Sequence, residues 1–318
     1  VAFDAARFVS QKIGELGQYA DGNAIIATSG GVDSTTAAVL AKKALGRKLH
    51  CVFVDTGLLR KGEAETARKN FKKCGLDVKI VDASSRFLNG LKGVTNPERK
   101  RKIIGGLFIR IFEEEARRVQ AKYLAQGTIA PDWIESGAGI RDNIKSHHNV
   151  GGLPKEMGLL LIEPMRDLYK DEVRLVAKEL GIPSDVFSRQ PFPGPGLAIR
   201  ILGEVTKERV EIVREACAIV EEELEAAARK RKMALPWQYF AVLLPVKSVG
   251  VQGDVRAYGC TIAVRAVEAA DGMTANYSAV PHGVLHKISL RITNAMKDKV
   301  NRVVFDVTNK PPATIEWE

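Results

Sequence analysis

The chain has 318 residues, 45% of them apolar and 27% charged, which suits a soluble globular protein of two domains. Its longest apolar runs, such as residues 159–162, are far too short to span a bilayer, and Val1-Ala2-Phe3-Asp4 has no signal-peptide character. The net charge of +10 fits nucleic acid or an anionic small molecule, but the basic runs at 99–102 and 229–232 lack interleaved aromatics and read as solvated helix faces. Cys51, Cys74, Cys217 and Cys260 are scattered without metal-ligand spacing, so a reducing, cytoplasmic setting is expected.

In chain order, residues 3–19 space Phe8, Ile13 and Leu16 as an amphipathic helix, and Ala24-Ile25-Ile26-Ala27 reads as a buried strand. Ser29-Gly30-Gly31-Val32-Asp33-Ser34-Thr35 follows, and then Ala37, Leu40, Ala41, Ala44 and Leu45 mark one helix face. Such a strand-to-helix turn is a site for phosphate oxygens. Gly30 and Gly31 allow positive φ and close backbone approach, the helix N-terminus adds partial positive charge, and Ser29, Ser34 and Thr35 add neutral donors. The turn is neither a Walker A loop nor a dinucleotide fingerprint. A plain helix start capped by Asp33 or Ser34 is the simpler alternative.

Residues 49–54 form a second strand ending at Val54, 63–73 a helix and 78–81 a third strand. This alternation predicts an α/β fold with a doubly wound, mostly parallel sheet, whose ligands sit beyond the carboxyl ends of its strands. A helix over 97–119, starting at Pro97, turns Ile104, Leu107, Phe108 and Ile111 inward, and a strand at 123–125 leads into Gln126-Gly127-Thr128. Asp132 and Glu135 would share one face of a helical turn, which suits Mg²⁺ or a reacting group and equally a capping box. The polar stretch 137–158 reads as a lid bringing lysines over a triphosphate; its adjacent histidines are poorly placed for one metal ion. A fifth strand at 159–162 and a helix marked by Val173, Val176, Ala177 and Leu180 complete a domain expected at 1–190.

Phe192-Pro193-Gly194-Pro195-Gly196 interrupts all periodicity and marks the expected boundary to a second domain at 191–318. There Val210, Val213, Cys217, Val220 and Leu224 form a helical seam, with strands predicted at 239–244, 256–267 and 302–307 and a helix at 284–296. An α+β dimerisation domain with one exposed apolar face, and hence a homodimer, is expected.

The order S-G-G-x-D-S-[ST] resembles the PP-loop of the ATP pyrophosphatase (adenine nucleotide alpha-hydrolase-like) superfamily, whose members cleave ATP between the α and β phosphates. The motifs Leu124-Ala125-Gln126-Gly127-Thr128, Pro131-Asp132-Trp133-Ile134-Glu135-Ser136 and Ile144-Lys145-Ser146-His147-His148-Asn149 narrow this to the GMP synthetase family. So do residues 189–197, 249–256 and the ending Lys310-Pro311-Pro312-Ala313-Thr314-Ile315-Glu316-Trp317-Glu318. The resemblance covers nearly the whole chain. It implies amination of XMP with ATP as co-substrate through an adenyl-XMP intermediate.

By the same resemblance, Ser29, Gly30, Gly31, Val32, Asp33, Ser34, Thr35, Val54 and Gly127 would bind ATP and its pyrophosphate. Asp33 and Asp132 would hold Mg²⁺. Asp132, Glu135, Lys145 and Lys155, with His147 and His148, would act on the phosphates, and Arg101, Asp254, Arg256, Lys310, Ile315 and Glu316 would contact XMP. No cysteine has the setting of an amidotransferase nucleophile, so ammonia is expected from a separate glutamine amidotransferase subunit, and nucleic acid is not an expected partner. Competing readings are a tRNA-modifying PP-loop enzyme, an NAD synthetase and a non-catalytic nucleotide-binding regulator.

Overall fold

Short strands that are apolar on both faces need helices on either side, and the N-terminal half supplies them. The computed structural model describes residues 3–130, 158–187, 190–252, 255–269 and 272–318. After helix α1 (Ala5–Leu16) come β1 (Asn23–Ala27), α2 (Val32–Leu45), β2 (Leu49–Asp55), α3 (Glu63–Lys73) and β3 (Val78–Asp82). Helices α4 (Ser84–Gly90) and α5 (Pro97–Arg118), strands β4 (Ala121–Ala125) and β5 (Leu160–Ile162), and α6 (Lys170–Glu179) follow. The five strands are parallel throughout, in the order β3-β2-β1-β4-β5. Chain direction across the sheet reverses at β1, which makes the gap between the carboxyl ends of β1 and β4 the topological switch point.

The periodicity assigns α2 a single inward face, but Thr35 to Ala41 and Leu45 are all buried. It lies among β1, β2, β4, α1 and α6, so small residues surround nearly its whole circumference. The other helices are amphipathic as read, although in α1 only Leu16 is buried while Phe8 and Ile13 are half-covered. No described helix is long and apolar enough to cross a membrane, and all four cysteines are free.

The second half contains α7 (Lys207–Arg229), β6 (Gln238–Gln252), β7 (Val255–Glu268), β8 (Asn276–Tyr277), α8 (His282–Ala295) and β9 (Val300–Phe305). β6 and β7 form a long antiparallel hairpin with a register shift between Leu243 and Lys247. β9 joins β7 in parallel, starting two residues earlier than its apolar run suggests, and β8 pairs antiparallel with the end of β7. The predicted seam on α7 is buried at all five positions. Helix α7 packs on β6, and α8 on α7 and β9. Among the described residues Val249, Val251 and Tyr258 leave an apolar strip exposed on the hairpin.

The chain packs as two units that are not continuous in sequence. One comprises Val1–Thr56, Gly62–Ala83 and Gly105–Arg189; the other comprises Gly57–Lys61, Ser84–Ile104 and Gln190–Glu318. Hydrogen bonds explain the excursions. The Leu58 carbonyl accepts from the Leu197 N–H at 2.8 Å, Arg214 donates to the Leu59 carbonyl at 2.9 Å, and the Gly93 N–H donates to Glu204 at 2.8 Å. The run at 99–102 also departs from its reading as a solvated face. Lys100 is fully buried, because the Ala198 and Ile201 carbonyls and the Glu318 carboxylate satisfy its ammonium.

The stretch read only as an interruption begins a buried 3₁₀ turn, Gly196–Arg200. Gly196 has φ +63°, and a Cβ there would lie 2.4 Å from the Leu58 carbonyl oxygen. Gly196→Ala therefore combines strain with a backbone clash. It should lower stability by roughly 2–4 kcal/mol in urea denaturation.

Candidate active site

The turn after β1 is held open by its own hydroxyls. Ser34 Oγ accepts from the Ser29 N–H at 3.2 Å and lies 3.0 Å from Ser29 Oγ, which in turn accepts from the Gly31 N–H at 3.4 Å. Gly30, at φ +80°, turns the chain in a conformation L side chains rarely adopt. Gly31 then caps α2 with no side-chain hydrogen bond to the first turn. The simple alternative of an Asp33 or Ser34 N-cap is thereby replaced, since both residues lie inside the helix. An uncapped first turn at a switch point presents N–H groups and the positive end of the helix dipole to an anion.

Gly127, just past β4, closes the other side. A Cβ at Gly127 would stand 3.1 Å from Asp33 C, Asp33 O and Ser34 Cα. A side chain there would sit tighter than most Cβ contacts, so the α2 turn would have to give by a few tenths of an ångström. Val54 is buried near the end of β2, and Thr28 anchors the start of the turn by donating to the Val52 carbonyl from its N–H at 2.8 Å and from Oγ1 at 3.2 Å. Thr35 Oγ1 is buried without a hydrogen-bond partner among the described residues. A carboxylate at Asp33 inside an anion cradle suits a hard divalent cation shared with phosphate oxygens. No cluster of three or more His, Cys, Asp or Glu able to hold a metal occurs among the described residues.

The second unit gathers part of the other expected set. The Lys310 ammonium donates to the Gly272 carbonyl at 2.8 Å, and its backbone bridges Ala275 in both directions, at 2.7 and 3.0 Å. A Cβ on Gly272 would meet Ile315 Cδ1 at 4.0 Å, so Lys310 and Ile315 share one neighbour. Arg101 donates to the Glu318 carbonyl. Glu316 is already engaged: Arg200 grips it through two nitrogens at 2.8 and 3.0 Å, and Gln238 donates to it at 2.9 Å. Arg256 is exposed on the hairpin opposite Val251 and is not part of this cluster. Asp132, Glu135, Lys145, His147, His148, Lys155 and Asp254 lie outside the described residues.

Two family models match separate parts of the chain. Residues 222–317 match the GMP synthase C terminal domain model, and residues 23–103 match that of queuosine biosynthesis protein QueC. The B subunit of glutamine-hydrolyzing GMP synthase from Thermococcus kodakarensis is 62% identical over 98% of this chain and 99% of that relative. This chain belongs to the family of GMP synthase B subunits. Those of Pyrococcus horikoshii and Methanocaldococcus jannaschii are 61% and 57% identical, each over 99% of the chain and 100% of the relative. The family assignment places both the turn at 29–35 and the tail at 310–317 inside matched segments.

Residues the sequence reading passed over are Lys100, Arg200, Gln238 and Arg265. Arg200 and Lys100 looked like ordinary charges near an interruption and on a helix. Only their burial marks them. For the phosphate cradle, Gly127→Ala should push the first turn of α2 by a few tenths of an ångström. We expect the KM for MgATP to rise about tenfold while the melting temperature stays close to wild type.

Proposed function

We propose that this chain aminates XMP to GMP, consuming ATP and releasing AMP and pyrophosphate, with ammonia from a separate glutamine amidotransferase subunit. The carrying observation is the uncapped first turn of α2 at the switch point, closed by the Gly127 backbone. Membership of the GMP synthase family supports the substrate assignment. The XMP C2 oxygen attacks the α-phosphorus of ATP, the bond to the bridging oxygen breaks, and pyrophosphate leaves from the cradle at 29–35. Ammonia then attacks C2 and displaces AMP.

Each described residue has a physical task. The N–H groups of the α2 turn, with Ser29, Ser34 and Thr35, neutralise charge growing on the leaving pyrophosphate, where preorganised donors count most. Asp33, with Asp132, would hold Mg²⁺, and the ion would supply Lewis-acid polarisation of the phosphates. Arg101 and Lys310 give cationic donors for the nucleotide monophosphate, and Ile315 an apolar edge for the base, while Arg256, exposed on the hairpin outside that cluster, is assigned to XMP by the family resemblance alone. Asp132, Glu135, Lys145, Lys155, His147 and His148 complete the phosphate-handling set, and Asp254 the XMP set. The protein works in the cytoplasm as a homodimer, a reading the exposed apolar strip of the hairpin supports.

Pyrophosphate release from MgATP by the purified chain should require XMP, with IMP and no nucleotide giving background rates. GMP should form from ammonium but not from glutamine unless an amidotransferase subunit is added. ATP cleavage that needs tRNA or deamido-NAD instead would overturn the substrate assignment. Asp33→Ala should lower kcat for pyrophosphate release by about 10²–10³-fold with the circular dichroism melt unchanged; wild-type turnover would remove Asp33 from the reaction.

A further inference from the structure

Among the described residues, three charged side chains are almost wholly inaccessible: Lys100 at 0%, Arg200 at 1% and Arg265 at 0% exposure. They come from different places, namely the start of α5, the end of the 3₁₀ turn and the last part of β7. All three grip one segment. Lys100 pairs with the Glu318 carboxylate, whose other oxygen accepts from the Gly203 N–H at 3.3 Å. Arg200 holds Glu316 through two nitrogens. Arg265 donates to the Thr308 and Thr314 carbonyls and pairs with Asp306 at 3.3 Å.

Residues 306–318 contain no helix or strand, and Pro311 and Pro312 cannot donate a backbone hydrogen bond. Such a segment has few ladder bonds to define its path, so its carbonyls and carboxylates need donors from elsewhere. Buried cations are an expensive way to supply them. Apolar residues of similar volume often serve stability as well or better, so a set of three points to placement in one geometry. The Arg200 guanidinium is further held between the rings of Phe192 and Phe240, at 5.2 and 4.1 Å from their centroids. Burial alone would lower its pKa, but the Glu316 charge outweighs this and raises it, so the guanidinium stays ionised.

We infer that Lys100, Arg200 and Arg265 are positioning residues that seat the 306–318 segment so that Lys310 and Ile315 meet the nucleotide, and that the Glu316 side chain serves as a tail anchor rather than a nucleotide ligand. This rests on the XMP reading above. The seat is separate in sequence and in packing unit from the phosphate cradle, so disturbing it changes the handling of one substrate only. The shared grip also makes Arg200 and Glu316 one device, and removing either partner disables the other.

The test is steady-state kinetics of the ammonia-dependent reaction with the whole chain, varying XMP and ATP separately, alongside thermal melts. Glu316→Gln and Arg200→Met should each raise the KM for XMP about tenfold or more while the KM for ATP stays within about twofold. The double variant should be no worse than the poorer single one, and Arg200→Lys should recover part of the loss. If Arg200→Met does not fold, Glu316→Gln, which keeps every cation, decides alone. An unchanged KM for XMP in a folded variant, or equal rises for both substrates, overturns the proposal. A wild-type chain without XMP-dependent turnover brings down the functional reading and this inference with it.

Discussion

Backbone N–H groups can stabilise an anion only if the helix that presents them is held still, because a donor that must reorganise loses most of its advantage over water. In this protein the constraint falls on α2. Its buried run from Thr35 to Ala41, mostly Ala and Thr, lets strands and helices approach from nearly every side, and the helix follows closely on the central strand β1. The Gly127 backbone then abuts its first turn at a distance that leaves a side chain little room. Burial of α2 and the openness of its N-terminus are two sides of one arrangement. The helix body is immobilised by packing, so the turn can leave its donors to a ligand.

The second unit solves a different problem with different means. A segment without helix or strand, such as 306–318, cannot be rigid through its own hydrogen bonds. Three buried cations, each bonded to carboxylate or carbonyl oxygens of that segment, replace the missing ladder. Their desolvation is offset only while these partners stay in place, which ties segment position to fold integrity. The 57–61 and 84–104 excursions belong to the same scheme, since they deliver Leu58 and Lys100 to this unit from the middle of the first.

Much of the fold is legible in the residues because burial in a parallel sheet leaves a plain imprint. Runs such as Ala24-Ile25-Ile26-Ala27 and the 3.6-residue spacing in α7 report their surroundings directly, and Gly30 reports a backbone need, whereas Gly31 lies at an ordinary φ of −77°. The imprint fails where a residue's partner is distant. Arg200 and Glu316 are 116 positions apart, and Lys100 and Glu318 are 218 apart. Charge in a helix-forming run ordinarily means solvent, so Lys100 reads as surface. Arg200, inside an aperiodic stretch of prolines and glycines, carries no pattern to interpret.

The sequence by itself determined the element order, the glycine-rich strand-to-helix turn at residues 29–35 and the family, because each depends on neighbours in the chain or on motifs kept in order. Tertiary structure alone decided the strand order β3-β2-β1-β4-β5, the meeting of Gly127 with α2, and the burial of three cations around the final segment. Those features arise from contacts between residues far apart in sequence. Local propensity and periodicity describe what a segment prefers to form, and they carry no term for which distant carboxylate will make a buried charge tolerable.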